Sequence, residues 1–387
     1  MVSGPILSIC VPTRNRADFL RVMLETLVPQ VGRLEGQVEL WVSDNASTDT
    51  TRQVVENAAR LGPIKYSRND SDIGAIANVV KAASQLATGE FVWLLGDHNL
   101  LSAGGLERAV GMLRQHPELD LFYLNFRCAA YPTQWPVSSL GGFDGAYEYL
   151  AWQTTESRRV DHWNALVDSR SSMATQLYAH IVRTTIWRDF WAGRPLPEQY
   201  MTAISTYPHT VMIASTMFEA PCYYLGEPII TIFNGAQSWG FRLARAKVIL
   251  AGLPDLLDLY AAKGLPRRAL QDARKFAEKQ AYLVWLDLFM NFRWRHAATL
   301  LGLAGPRFLG HRYTWSVSRR AYMDAQVTSL SRLLRRLGRA ANKGRVAIWP
   351  RSAIALWVRS KFAQPRAVGD FKADEPHSRS TSQAKKQ

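Results

Sequence analysis

Hydrophobic positions in the first 130 residues fall into two alternating patterns. Short apolar runs at residues 6–11, 38–42, 64–66, 91–95 and 119–126 have the length and β-branched content of strands, the first of them stopped by Pro12. Between them lie stretches with apolar residues three and four apart. The first, residues 18–28, places Phe19, Leu20, Met23, Leu24 and Leu27 on one face. Others cover 50–61, with Thr48 or Asp49 as N-cap, 73–86 and 104–115. Strands that are apolar throughout and alternate with helices predict an α/β, Rossmann-like domain with a mostly parallel central sheet flanked by helices.

In such a sheet ligands gather at the carboxyl ends of the strands. Three polar clusters fall there. Pro12, Thr13, Arg14 and Asn15 follow the first strand, Ser43 to Ser47 the second, and Gly96, Asp97, His98 and Asn99 the fourth. Each alone is ordinary turn chemistry. Their placement at three strand ends is what predicts a site.

The rest of the chain changes character. Residues 130–235 are irregular, with Trp135, Trp152, Trp163, Trp187 and Trp191 among polar loops, and are expected to face an acceptor. Gly226, Glu227 and Pro228 interrupt an apolar run and read as a strand end or edge. From Arg242 the pattern is helical. Within 319–341, Val327, Leu330, Leu334, Leu337 and Ala341 share a face, with Arg332, Arg335, Arg336 and Arg339 around it. The polar tail is expected to be disordered. The predicted organisation is a catalytic domain over 1–240, a helical basic C-terminal extension over 241–368, and a tail over 369–387.

Charge sharpens that division. Residues 1–240 hold 18 Lys and Arg against 23 Asp and Glu, whereas 241–387 hold 29 against 9, a net −5 followed by +20. The basic part implies an anionic partner, and its amphipathic pattern favours an anionic membrane surface. No helix-turn-helix, zinc-finger or RNA-binding pattern accompanies it, so nucleic acid is not expected. Three scattered cysteines suit a reducing compartment. With no signal-like start and no run of about 18 apolar residues, the expected location is cytoplasmic, peripheral at the inner face of the membrane.

Four segments in order carry a family resemblance: residues 7–16 (LSICVPTRNR), 42–49 (VSDNASTD), 69–74 and 87–97 (ATGEFVWLLGD). Together they resemble the family 2 glycosyltransferases of the GT-A fold, nearest the bacterial abequosyltransferase-like subgroup. The resemblance is good over 5–130, patchy to 235 and absent beyond. It implies a nucleotide-sugar donor held by Pro12, Thr13, Arg14, Asn15, Arg16, Asp44, Asn45, Arg68, Asp72, Gly96 and Asp97. Asp44 would accept a hydrogen bond from the base, which suits the N3–H of uracil or thymine and so UDP or dTDP. As a plain turn, the same residues would only redirect the chain.

Gly96 to Asn99 occupies the place of the family's metal motif, which implies Mn2+ or Mg2+ on Asp97, His98 and Asn99. Only one of the three is a carboxylate. Inverting members use a base late in the catalytic domain, commonly Asp. His209 holds that place here, with Glu198 in reserve. The implied reaction is sugar transfer to a hydroxyl of a glycan or lipid-linked acceptor in bacterial surface polysaccharide assembly. The competing reading is a catalytically impaired nucleotide-sugar-binding partner protein.

Overall fold

The computed structural model describes residues 4–130, 147–150, 154–169, 171–195, 200, 202–234, 242–290, 320–321 and 323–324. All lie in the larger of the chain's two units, Met1–Val327. Glu198, Trp135, Trp152 and the arginine-rich stretch beyond 324 fall outside the described residues.

The apolar runs form the expected parallel strands. Strand β1 (Leu7–Thr13) enters first, followed by helix α1 (Ala17–Arg33), β2 (Val38–Asp44), α2 (Thr51–Ala58) and β3 (Lys65–Arg68). Helix α3 (Ala75–Lys81) continues through a π-helical turn, Ala82–Leu86, into β4 (Phe91–Leu94). Strand β1 pairs parallel with β2 and β4, and β2 with β3. Two expected bounds are overrun. Helix α1 extends beyond residue 28, through Pro29, to Arg33, and β1 continues through Pro12 to Thr13. The second is explained by pairing. Cys10 accepts from Leu95 on the β4 side and Thr13 from Asn45 on the β2 side. By alternation Pro12 faces the side where β4 has ended, so its missing N–H costs no ladder bond.

Beyond β4 come β5 (Leu100–Leu101), α4 (Gly105–Gln115), β6 (Leu121–Ala130), β7 (Tyr147–Leu150) and β8 (Arg158–Val160). Then follow β9 (His180–Arg183), α5 (Thr184–Trp191), α6 (Pro208–Thr216) and β10 (Cys222–Asn234). All ten described strands join one sheet of order β3-β2-β1-β4-β9-β6-β10-β5, with β7 added to β6 and β8 to β10. Strand β9 is antiparallel to both its neighbours, β4 and β6. The segment 226–228 is a correction. It is no strand end or edge but a register shift inside β10 between Leu225 and Ile230. A Cβ on Gly226 would lie 2.5 Å from the Thr155 backbone, so the chain needs glycine there.

After residue 240 the chain is helical as expected, with α7 (Arg242–Lys247), α8 (Leu253–Ala262) and α9 (Arg267–Met290). Leu253, Leu256, Leu257 and Tyr260 of α8 and Ala273 and Ala277 of α9 enter the same core that the sheet covers.

The amino-terminal ends of the parallel strands are tied by one buried carboxylate. Glu39 accepts from Ser8 Oγ at 2.5 Å, Lys65 Nζ at 2.7 Å and the Thr88 amide at 2.7 Å. Burial alone would raise its pKa, but the Lys65, Ser8 and Thr88 bonds prevail and bring it down to about 2. A depressed carboxylate contributes stability above its unfolded value, about 4.3, and loses it as pH falls towards the folded value. Glu39→Gln should therefore lower stability at neutral pH and flatten its decline between about pH 5 and 2, measured by urea unfolding across that range.

Candidate active site

Parallel register brings the predicted rim residues into one row. Thr13 pairs with Asp44, and Asp44 with Arg68, so the last residues of β1, β2 and β3 stand side by side. Asp97 follows β4 and joins them through side chains. Thr13 Oγ1 donates to Asp97 Oδ2 at 2.9 Å, and Arg16 Nε donates to Oδ1 at 2.8 Å. His98 Nδ1 lies 3.1 Å from the same Oδ1. Asp97 is only 4% exposed. Burial alone would raise its pKa, but the His98 bond and the Arg16 charge hold it below the usual carboxylate range.

The second cluster is equally constrained. Asp44, 1% exposed, accepts from the Ser47 amide at 2.9 Å and from Tyr66 Oη at 2.5 Å, with Arg68 Nε 3.6 Å away. Arg68 also donates to the Ser47 carbonyl. Asn45 Nδ2 donates to Asp72 Oδ1 at 2.6 Å, and its Oδ1 accepts from Asn69 and the Ile73 amide. Arg14 closes an ion pair with Asp72. The first and second rim loops are laced together. Asn15 donates its amide to Ser47 Oγ and accepts from the Thr48 amide. Asn15 and Ala46 both adopt positive φ, 51° and 59°, a conformation that costs energy outside glycine and recurs at functional sites. Asp49, expected as an N-cap of α2, bonds the Thr51 amide and also takes the first amide of α1, from Ala17.

Two contributors were not legible in the pattern. Tyr66 read only as part of a strand, and its hydroxyl proves to sit on Asp44. Asn78, inside an apolar helix, is 1% exposed. Its Oδ1 accepts from Ser43 Oγ at 2.7 Å and Asn69 Nδ2 at 3.1 Å, and its Nδ2 donates to the Ser43 carbonyl at 2.8 Å. The signal was a lone amide on the buried face of an amphipathic helix.

The side chains at the three positions expected to hold an ion are engaged within the protein. Both oxygens of Asp97 already accept hydrogen bonds. Asn99 is fully buried and its Oδ1 caps the Gly96 amide at 2.6 Å. The His98 nitrogen on that side points at Asp97. Among the described residues no group of three or more His, Cys, Asp or Glu side chains is placed to hold a metal.

His209 is the second residue of α6 and 3% exposed. Its ring packs 5.5 Å from that of His180, and neither ring nitrogen makes a hydrogen bond of normal geometry. No described contact joins it to the rim cluster. Strand β9 supplies a geometric link. Because Trp93 pairs antiparallel with Ile181, His180 stands level with the carboxyl end of β4, the end from which Asp97 extends. Burial, with a smaller contribution from His180, pushes the His209 pKa well below its ordinary value.

The parallel strands gather paired arginines and aspartates at one end, and comparison with known proteins gives the class: the chain is a glycosyltransferase. Residues 8–176 match the model of the glycosyl transferase family 2, a span that holds every rim residue and stops short of His209. Residues 8–176 are thus a family 2 glycosyltransferase domain. It is 24% identical over 255 residues to abequosyltransferase RfbV of Salmonella typhimurium, covering 63% of this chain and 71% of that one. It is 41% identical over 85 residues to validoxylamine A glucosyltransferase of Streptomyces hygroscopicus subsp. jinggangensis, covering 22% and 20%. The crystal structure of S. aureus TarS 1–349 is 17% identical over 84% of this chain and 91% of that one, with a TM-score of 0.45, a likeness too slight to inform the chemistry.

Asn78→Ala should leave the Ser43 hydroxyl, the Ser43 carbonyl and the Asn69 amide short of partners, at about 1–3 kcal/mol for each group left unsatisfied. The urea midpoint should fall accordingly, with no change in m-value.

Proposed function

We propose that this glycosyltransferase moves a sugar from a UDP- or dTDP-linked donor to a hydroxyl of a glycan or lipid-linked acceptor, with inversion, in bacterial surface polysaccharide assembly. The observation that carries the reading is the convergence of Thr13, Arg16, Asp44 and Asp97, distant in sequence, on one end of the parallel strands. The Asp44 carboxyl is a hydrogen-bond acceptor, and the N3–H of uracil or thymine is a matching donor. Its loop neighbours Asn45 and Asp72 order the chain beside it. Both relatives that match in sequence are named as sugar transferases.

In this mechanism the acceptor oxygen attacks the anomeric carbon from the face opposite the leaving group. The electron pair of the breaking carbon–oxygen bond passes to the nucleoside diphosphate, and the acceptor's proton goes to His209. Burial keeps that imidazole neutral at physiological pH, the form able to take a proton. The acceptor would be met at a membrane surface. No described helix is long and apolar enough to cross a bilayer. The exposed side of α9 carries Arg267, Arg268, Arg274, Lys275 and Lys279, which suits anionic headgroups.

Asp44→Ala should weaken binding of UDP or dTDP about tenfold or more, while leaving any residual affinity for GDP unchanged, as read by calorimetry. Equal loss for all three nucleotides would remove Asp44 from base recognition. His209→Gln keeps volume and polarity. It should lower kcat about a hundredfold or more at unchanged donor KM, with the fold intact by circular dichroism. Because its pKa is depressed, the acid limb of the wild-type kcat profile should lie below pH ~6.5, activity falling only as the pH drops through that lowered value. Full activity in His209→Gln rejects it as the base.

A further inference from the structure

The longest left-handed run among the described non-glycine residues is Ser172, Met173 and Ala174, with φ of 44°, 61° and 53°. That conformation costs energy for any residue but glycine. Met173 and Ala174 are fully buried, and two helices hold them. Tyr260 of α8 donates its hydroxyl to the Met173 carbonyl at 2.8 Å, and Thr210 of α6 donates to the Ala174 carbonyl at 3.1 Å. Both donors are fully buried too. The turn leads straight to the histidine pair. The Thr175 backbone lies beside the His209 ring, and the Gln176 carbonyl is 2.9 Å from His180 Nδ1. A carbonyl only accepts, so that nitrogen carries the proton. His180 Nε2 is left to accept from the Trp163 indole at 3.4 Å. The other approach to His209, residues 203–206, is held by α8 as well. The Ala203 amide donates to Asp255 Oδ2 at 2.7 Å, and a Cβ on Gly252, just before α8, would strike Thr206. Asp255 and Tyr260 both lie beyond residues 8–176, the span of the family match.

We propose that helix α8 is part of the catalytic unit, with Tyr260 a positioning residue that acts on His209 through the left-handed turn 172–174. This rests on the reading of His209 as the base. A base works only with its nitrogen within hydrogen-bond reach of the oxygen it serves, and a misplacement of about 1 Å can cost about a hundredfold in rate. The turn is strained, so it keeps its shape only while both ties hold. Losing either lets residues 172–174 relax towards ordinary φ, which carries Thr175 and Gln176 away from the two rings. Tyr260 thus reaches the base from α8 without touching it, and Thr210 does the same from α6.

The test uses two variants that each cut one tie and keep the shape, Tyr260→Phe and Thr210→Val. Long-range proton–nitrogen spectra of the full-length protein, labelled with 15N at histidine, read the rings without any substrate. His180→Gln and His209→Gln assign the two signals. Both signals should move or broaden in each variant, while those of His98 and His116, which the turn does not touch, stay in place. Turnover is followed as nucleoside diphosphate released from UDP-glucose and dTDP-glucose. Each variant should lower kcat about tenfold or more, with donor KM unchanged within about twofold. Because both variants act on one turn, the double variant should lose little more than the worse single one. Unmoved ring signals in both variants overturn the proposal, whatever turnover does. So does a donor KM that changes as much as kcat, the mark of general loosening. Turnover kept in both variants but lost in His209→Gln overturns the proposal and leaves the base reading standing. Full activity in His209→Gln overturns both. Where Tyr260→Phe does not fold, Thr210→Val decides alone.

Discussion

The carboxylate of Asp97 is the tie on which the rim depends. It stands just beyond the end of β4, takes a hydroxyl from the last residue of β1 and a guanidinium from the start of α1, and does so almost out of contact with water. A lone charge in that position would be expensive to bury, and the cost is offset only because each oxygen meets a donor. The loops after β1 and β4 therefore cannot shift independently. Moving one strips a buried carboxylate of its partners, which is the physical reason two loops separated by some eighty residues hold a fixed relation.

The same logic extends sideways. Asp44 is bound to Tyr66 and to its own turn, Asn45 to Asp72 and Asn69, and Asn69 to Asn78. Loops at strand ends are ordinarily the mobile part of an α/β domain. Here side-chain bonds reach back from the strand ends to helix α3 through Asn78. Charge is managed in parallel. Because each rim arginine is matched by an aspartate, the rim as a whole is close to neutral despite its density of ionised groups.

The parallel half of this sheet was legible because its information is local. Continuous apolar runs such as 91–95 and the helical spacing of Phe19, Leu20, Met23 and Leu24 do not depend on distant partners. So the rim clusters could be placed at strand ends before any coordinates. What was not legible depends on contacts far along the chain. Strand β9 is four residues long, His180 to Arg183, and is a strand only because β4 and β6 leave a gap between them. The run through Gly226 looked like a break because Gly and Pro punctuate it. The bulge absorbs them, and the backbone at Thr155 and Glu156 leaves no room for anything larger. Asn78 could be seen as an amide on an apolar face, but its partners are Ser43 of β2 and Asn69 just after β3. Side-chain pairing such as Tyr66 on Asp44 follows from parallel register, which a single strand does not encode.

Strand β9 also bears on where the two buried histidines stand relative to the rim. In an uninterrupted parallel sheet every strand enters from the same end, and residues arriving late in the chain reach the rim only through long loops. Reversing one strand changes that. His180 opens β9 at the carboxyl end of β4, and the ring of His209 packs beside it from the first turn of α6. The pair of imidazoles is thus carried towards the end of the sheet where Asp97 stands, on a strand and a helix rather than on a loop. Both are neutral for the same reason: burial lowers the His180 pKa to about 4 and that of His209 well below its ordinary value. A charged imidazole at His180 would face the rings of Trp163 and Tyr123. The packing that makes these histidines look like core residues is also what keeps His209 unprotonated, so burial alone does not argue against its taking a proton. Neither nitrogen of that ring makes a hydrogen bond of normal geometry among the described residues, with the Thr175 backbone as a polar neighbour.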